Sequence, residues 1–259
     1  MANFAYAVWR GWMRQGAVVC ALLLVSGCSI LKPQAAPPPS PDPYADIRPA
    51  AASVGVVMPD RKDFLHPWDI STYVMRVTLF ASLPIMNGGV AFVGDSLTDY
   101  GRWPEAYPNL RVRNFGVAGD TTVGLQHRIS QVVEAKPATI FLMIGTNDVE
   151  FGRSPEQIAG NVVDIVDKLT SGLPGVKIYV ESLLPRQPEF DGKIRAVNTL
   201  LIELARTRGV TYVDLYPHFV ANGRLDPKLT NDDIHLAGAG YALWREAIFD
   251  VISASEKRQ

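Results

Sequence analysis

Short apolar runs recur along the chain from residue 90 onward, and longer stretches with helical periodicity separate them. The runs occupy residues 90–94, 139–145, 177–184 and 210–215, with a weaker one at 111–115. They are rich in Val, Ile, Phe, Tyr and Leu, and they do not alternate with polar residues. This pattern is typical of strands that are buried on both faces of a parallel sheet. It therefore predicts five parallel strands.

The helical patterns lie at about residues 122–134, 155–171, 192–208 and 237–253. Ser154 and Pro155 mark the start of the second one, because serine is a favoured N-cap and proline fits the first helical position. Strands that alternate with helices predict an α/β fold, a three-layer α/β/α sandwich around a five-stranded parallel sheet. In such a fold, catalytic residues are expected on loops at the carboxyl ends of the strands.

Residues 61–88 are ambiguous. Residues 69–82 have the length of a helix, but several β-branched side chains within them disfavour one, namely Thr72, Val74, Val77 and Thr78. The structure of this segment is left open.

The N-terminus has the pattern of an export signal. Arg10 and Arg14 precede an apolar stretch at 17–27, which is shorter than the roughly 20 residues that span a bilayer and is typical of a signal peptide. The stretch ends in Val-Ser-Gly-Cys28, which resembles the bacterial lipobox. That resemblance implies that Cys28 is acylated and becomes the first mature residue. An ordinary signal peptide with a chance cysteine is the alternative, and the start at Met1 or Met13 is left open.

A proline-rich segment follows the signal, with seven prolines between residues 33 and 49. Such a composition favours extended conformations and buries too little surface to fold. We therefore predict a signal peptide at 1–27, a lipidated cysteine and tether at 28–60, and a folded domain at 61–259. A tail that packs on the domain is the alternative to a tether. Ser29 is typical of lipoproteins sorted to the bacterial outer membrane, so the predicted location is that membrane, facing the periplasm.

Composition excludes several classes of protein. The 25 basic and 26 acidic residues leave a net charge of -1, so there is no electrostatic footprint for nucleic acid. The two cysteines, Cys20 and Cys28, both lie in the first 28 residues, which excludes a disulfide scaffold and a cysteine-rich metal site. The oligomeric state is not predicted.

Four short motifs fall at the predicted strand ends. Gly94-Asp95-Ser96 presents Ser96 as a candidate nucleophile, although Gly-Asp and Asp-Ser are also ordinary turn sequences. Gly119 allows a close approach of its backbone N–H to a substrate oxygen. The amide of Asn147 has the chemistry to donate to an oxyanion or to close a turn. Asp232 and His235 are three residues apart, which suits a carboxylate that orients an imidazole.

Together and in this order, the motifs resemble the four blocks of the SGNH (GDSL) hydrolase family, over residues 88–253. The likeness is closest to the branch of the platelet-activating-factor acetylhydrolase catalytic subunits and bacterial GDSL esterases, supported by residues 114–122, 182–186 and 230–241. The resemblance implies a flavodoxin-like fold and a triad of Ser96, His235 and Asp232. It also implies an oxyanion hole made by the N–H groups of Ser96 and Gly119 and the amide of Asn147, and no metal or cofactor.

The expected activity is that of a serine esterase working through an acyl-enzyme, on a small-molecule or polysaccharide ester. Short acyl esters, such as acetyl esters of carbohydrate or cell-wall polymer, are the first expectation. The alternatives are a lysophospholipid or longer acyl ester, and a non-catalytic cell-wall-binding lipoprotein on the same fold.

A few other residues carry open interpretations. Asp233 stands where the family commonly has glycine, so its carboxylate either raises the basicity of His235 or points to solvent. Trp103 and Pro104 are candidates for a pocket wall, and Trp244 for the core. The remaining motif carboxylates, Asp95, Asp120 and Asp148, are expected to hold loops. His66 is expected to be structural or exposed, and His127 and His218 lack metal-ligand spacing.

Overall fold

Five parallel strands form the central sheet, in the order β2-β1-β3-β4-β5. The structure is a computed structural model, and it describes residues 48–256. The strands are β1 Val90–Gly94, β2 Val112–Gly116, β3 Thr139–Met143, β4 Lys177–Glu181 and β5 Thr211–Val213. They are paired in parallel throughout, which confirms the predicted α/β fold. A small antiparallel pair, β6 Val220–Ala221 and β7 Arg224–Leu225, lies outside this sheet.

The helices of the described chain are α1 Arg48–Ala52, α2 Pro67–Ser82, α3 Ser96–Asp99, α4 Trp103–Ala106, α5 Thr122–Ala135, α6 Thr146–Glu150, α7 Pro155–Gly172, α8 Asp191–Arg208, α9 Tyr216–Phe219, α10 Gly238–Ala247 and α11 Phe249–Glu256. The second predicted helix begins as expected, with Ser154 in a capping box. The last predicted helix, 237–253, is two helices, because Ile248 leaves helical geometry between them. None of the described helices is long and apolar enough to cross a membrane.

The strand order explains why the helices cover both faces of the sheet. The connection from β1 to β2 runs in one direction, and all later connections run in the other. Because such crossovers are right-handed, α3 and α4 lie on one face, and α5, α7 and α8 lie side by side on the other. The chain returns to the first face with α10, where Trp244 packs against Trp103 of α4 at 5.0 Å between ring centroids.

A row of aromatic rings fills the first face. Phe92, Phe141 and Tyr179 are in register on β1, β3 and β4, with centroids 5.1 and 5.0 Å apart. Trp103 stacks on Phe92 at 4.1 Å, is 1% exposed and donates its indole N–H to the carbonyl of Thr98 at 2.8 Å. The interpretation of Trp103 as a pocket wall is therefore wrong, since its ring is part of the core.

Trp244 lies in the core as predicted. Its side chain is fully buried, and its indole N–H donates to Glu181 at 2.7 Å. Burial raises the pKa of the Glu181 carboxyl to about 8. The indole N–H of Trp244 gives this buried carboxyl a hydrogen-bond partner inside the apolar layer.

The strands are shorter than the apolar runs that predicted them. β3 ends at Met143 and β4 at Glu181, but the residues that follow remain buried, including Ile144, Leu183 and Leu184. An apolar run records burial rather than pairing, so it does not show where a strand becomes a buried loop.

The ambiguous segment contains the 16-residue helix α2. Its β-branched residues are tolerated because Ile70, Tyr73, Val77 and Phe80 form a buried stripe at helical spacing. The Tyr73 hydroxyl donates to the carbonyl of Gly124 in α5 at 2.9 Å. Tertiary packing therefore outweighs the low helix propensity.

The described part of the predicted tether is packed on the domain. Residues 48–52 form α1, and Ala51 and Val56 are buried against the core. Apolar residues between Pro49 and residue 60 therefore find partners on the domain, as in the alternative of a packed tail, and the boundary at residue 60 stays a prediction. The predicted signal peptide, Cys28 and tether residues up to 47 lie outside the described residues.

Candidate active site

Ser96 lies at the turn from β1 into α3, as predicted. The preceding residue, Asp95, caps this helix by accepting the N–H of Leu97 at 3.0 Å. Asp95 is fully buried, and burial raises its pKa to about 7. Ser96 is 4% exposed, so its hydroxyl is held in a fixed, nearly enclosed position.

Ser96, His235 and Asp232 form one hydrogen-bonded series. The Ser96 Oγ lies 3.0 Å from His235 Nε2. The other ring nitrogen of His235, Nδ1, lies 2.7 Å from Asp232 Oδ2. The second oxygen of Asp232 accepts the backbone N–H of His235 at 2.7 Å and that of Ile234 at 3.0 Å. The structure therefore brings the three predicted residues together in the order carboxylate, imidazole, hydroxyl.

The local loop fixes the imidazole and keeps the carboxylate charged. Partial burial raises the pKa of Asp232, but hydrogen bonds from the ring and backbone of His235 and the backbone of Ile234 outweigh it and lower the pKa to about 2. The Thr230 hydroxyl donates to the His235 carbonyl at 2.7 Å and accepts the N–H of Asp233 at 3.1 Å. Thr230 therefore closes the loop that presents the imidazole.

Asp233 does not contact the imidazole. Its carboxylate accepts a hydrogen bond from the guanidinium of Arg224 in β7, and its side chain is 26% exposed. Its backbone has φ of 63°, in the left-handed region that favours glycine. Asp233 therefore neither acts on His235 directly nor points only to solvent, because its carboxylate forms a partly exposed ion pair with Arg224.

Gly119 and Asn147 are brought together at the same edge of the sheet. Gly119 has a positive φ of 78°. The Asn147 side-chain amide donates one N–H to the carbonyl of Asp120, the next residue, at 2.7 Å. The neighbouring Ala118 N–H donates to Asp99 of α3 at 3.1 Å. Both predicted oxyanion donors are therefore tied to the loop system that carries Ser96.

Buried ion pairs support these loops. Arg128 of α5 is fully buried, and it donates to Asp120 at 2.8 Å and to the carbonyls of Phe115 and Gly94 at 2.9 and 3.0 Å. It thus joins the ends of β1 and β2 to the Gly119 loop. Burial raises the pKa of Asp120 to about 6 although Arg128 opposes this effect.

Asp148, in α6, joins the start of α5 to the loop that follows α6. It accepts the N–H and hydroxyl of Thr122 at 2.9 and 2.6 Å, and it accepts the Arg153 guanidinium at 3.0 Å. Together with the cap made by Asp95 and the ion pair of Asp120, this confirms that the motif carboxylates hold loops.

Two residues near the site were not singled out from sequence. Tyr100 is half exposed, and its ring centroid lies 5.3 Å from that of His235. It follows Ser96 by one helical turn, which is a signal that sequence analysis could have used. Asp69 comes from α2, and its carboxylate lies against Gly119. No sequence pattern indicated this contact, because the segment that carries Asp69 had no predicted structure.

The remaining histidines take no part in the hydrogen-bonded series; they are His66, His127 and His218. Within residues 48–256, no cluster of three or more His, Cys, Asp or Glu side chains is arranged to hold a metal ion.

Comparisons with known proteins point to one family. Residues 92–243 match the model of the GDSL-like lipase/acylhydrolase family. Platelet-activating factor acetylhydrolase IB subunit alpha2 of Rattus norvegicus is 34% identical over 164 residues, which cover 59% of this chain and 71% of that protein.

Solved structures share the fold. A GDSL-like lipase from Bacteroides thetaiotaomicron has a TM-score of 0.60 at 22% identity, covering 71% of this chain and 98% of the other. A mutant of an acetyl-xylooligosaccharide esterase from Geobacillus Stearmophilus has a TM-score of 0.56 at 22% identity, covering 64% and 94%.

Proposed function

This chain belongs to the GDSL-like lipase/acylhydrolase family and is a carboxyl-ester hydrolase, and from that premise we propose that it removes short acyl groups, acetyl above all, from esters of carbohydrate or cell-wall polymer. The observation that carries the hydrolytic part of the proposal is the series Asp232, His235 and Ser96, with contacts of 2.7 and 3.0 Å. A small acyl group is supported by one relative, which is an acetylhydrolase, and by one structural neighbour, which is an acetyl-xylooligosaccharide esterase.

In the proposed mechanism, His235 Nε2 takes the proton of the Ser96 hydroxyl while Oγ attacks the ester carbonyl carbon. The ionised Asp232 stabilises the imidazolium that forms. The tetrahedral intermediate then expels the alcohol, which receives the proton from His235, and the acyl group stays on Ser96. A water molecule then gives a proton to His235 Nε2 and attacks the acyl carbon. The bond from that carbon to Ser96 Oγ breaks, Oγ takes the proton back from His235, and the acid is released.

The oxyanion of each tetrahedral intermediate is held by the N–H groups of Ser96 and Gly119 and by the Asn147 amide. One N–H of that amide is already bonded to Asp120, so the second N–H is the one that serves the substrate. Removal of a single donor of this kind lowers the rate by about 10²–10³-fold.

Hydrolysis of p-nitrophenyl esters from acetyl to lauroyl by the full chain tests the acyl preference. We expect kcat/KM to be highest for the acetyl or propionyl ester, because the proposed substrate carries a small acyl group. An optimum at octanoyl or longer would contradict this and favour a lysophospholipid or longer acyl ester. Ser96→Ala measured in parallel separates enzymatic turnover from spontaneous hydrolysis.

We further propose that the protein is held at the bacterial outer membrane by lipid on Cys28, facing the periplasm. Several acyl chains on one residue anchor a protein stably, whereas a single chain is marginal. Cys28→Ala is expected to move the protein from the sedimented membranes to the soluble fraction. Cys20→Ala is the matched control and is expected to stay with the membranes. If Cys28→Ala also sediments, the lipid anchor is wrong.

A further inference from the structure

A carboxylate that precedes the family region lies against the loop of Gly119. Asp69 belongs to α2, which comes before the residues 92–243 that the family model matches. A Cβ at Gly119 would lie 2.6 Å from both the carboxyl carbon and Oδ1 of Asp69. The carboxylate therefore occupies the space that any other residue at this position would need for its side chain.

Only one carboxylate oxygen of Asp69 has a partner in the described chain. Oδ2 accepts the backbone N–H of His66 at 2.8 Å as part of the cap of α2. Oδ1 accepts no hydrogen bond within residues 48–256, and it is not among the fully enclosed side-chain atoms of that range that lack a partner. It therefore keeps contact with solvent, although Asp69 as a whole is only 6% exposed. Oδ1 is thus placed to accept a hydrogen bond from a bound molecule.

The charge of Asp69 acts on the reaction centre. A carboxylate in contact with Gly119 repels the negative charge that develops on the carbonyl oxygen next to that residue's N–H. Burial has the largest effect on the pKa of Asp69 and raises it. The hydrogen bond from the His66 backbone and the positive charge of Arg61 lower this pKa, and the negative charge of Glu150 raises it. An ester that brings no donor to Oδ1 therefore reacts beside a poorly solvated negative charge.

One exposed aromatic side chain, that of Tyr100, lies beside the catalytic imidazole, with 5.3 Å between its ring centroid and that of His235. Burial has the largest effect on the pKa of the Tyr100 phenol and raises it. The negative charges of Asp99, Asp69 and Asp232 raise it further. Tyr100 is therefore within electrostatic reach of Asp69 and Asp232, and its ring is 53% exposed. A flat aromatic face near a hydrogen-bond acceptor suits a ligand that has both C–H and hydroxyl groups.

We propose that Asp69 is a specificity-determining residue, which accepts a hydrogen bond from a hydroxyl on the alcohol part of the substrate and so selects esters of sugars and other polyols. The inference rests on the proposed esterase function and names the group that recognises its substrate. The bound hydroxyl disperses the charge of the carboxylate beside Gly119, so the oxyanion is best stabilised when that hydroxyl is present. A cationic alcohol is less suited, because Arg61 already places positive charge near Asp69.

The test compares two acetate esters of similar shape, 6-O-acetylglucose and cyclohexylmethyl acetate, by acetate release from the full chain at constant pH. In Asp69→Asn, kcat/KM for 6-O-acetylglucose is expected to fall about 10- to 100-fold, the size of one hydrogen bond to a charged group. For cyclohexylmethyl acetate it is expected to stay constant or rise, because the amide removes the charge beside Gly119. Asp69→Ser keeps an acceptor for the His66 N–H and is expected to show the same split.

Asp60→Asn is the matched control, because it removes an exposed carboxylate from the same segment, and it is expected to leave the ratio of the two esters unchanged. Equal losses on both esters, or an unchanged ratio in both Asp69 variants, would overturn the inference and leave Asp69 as a helix cap. A preference for acetylcholine over 6-O-acetylglucose that Asp69→Asn abolishes would overturn it in favour of a cationic alcohol. Failure of the esterase function itself is distinct, because the unmodified chain would then hydrolyse neither these esters nor p-nitrophenyl acetate.

Discussion

Ser96→Ala is expected to lower kcat/KM for p-nitrophenyl acetate by about 10⁴- to 10⁶-fold, as loss of the nucleophile does in serine hydrolases of other folds. The reason is that Ser96 Oγ is the oxygen placed 3.0 Å from His235 Nε2. Without it no acyl-enzyme forms, although the other groups of the site remain. The measurement is initial-rate hydrolysis together with covalent labelling by a fluorophosphonate probe.

The matched control is Ser82→Ala, which removes an exposed hydroxyl at the end of α2 that donates only to the carbonyl of Leu79. It is expected to keep full activity and full labelling. Retention of both properties by Ser96→Ala would show that the nucleophile lies elsewhere. If the unmodified chain neither turns over any ester nor reacts with the probe, the non-catalytic, cell-wall-binding alternative gains support.

The sequence could place Ser96 beside Asn147 because each follows a strand that parallel topology brings to one edge of the sheet. Strands β1 and β3 are adjacent, so the loops that begin at Ser96 and Asn147 are neighbours whatever the details of their turns. The Asp232–His235 pair is local, since the carboxylate accepts the histidine's own backbone N–H. Patterns of burial and short-range spacing are the kinds of information that a single sequence carries most directly.

The sequence could not place residues whose role depends on packing between distant segments. Asp69 reaches Gly119 through a helix that forms because its apolar stripe packs on α5. Arg224 meets Asp233 through a two-residue strand that no pattern predicts. Trp103 follows the nucleophile closely, yet its ring faces the core because α3 and α4 turn it onto Phe92. Proximity in the chain therefore predicted a site residue where the structure has a core residue.

Asp232→Asn is expected to lower kcat/KM by about 10⁴-fold, the loss that follows when the carboxylate of a triad becomes an amide. The amide can donate to Nδ1 of His235 and so stabilise the tautomer in which Nε2 carries the proton and cannot serve as a base. It also removes the negative charge that stabilises the imidazolium. Since the pKa of Asp232 is about 2, the native carboxylate stays ionised throughout the neutral range, and the loss is expected at every pH tested from 6 to 9.

Asp233→Asn is the matched comparison, because it makes the same chemical change one residue away. Its carboxylate is bonded to Arg224 rather than to His235, and asparagine tolerates the left-handed backbone at φ of 63°. We expect its kcat/KM to stay within about threefold of the unmodified value and its stability to change by about 1 kcal/mol or less, as for partly exposed ion pairs. Thermal melts of both variants exclude unfolding as the cause of any loss. The reverse order of activities would mean that Asp233 is the acid that serves His235, and that the 2.7 Å contact of Asp232 with Nδ1 is not used in the reaction.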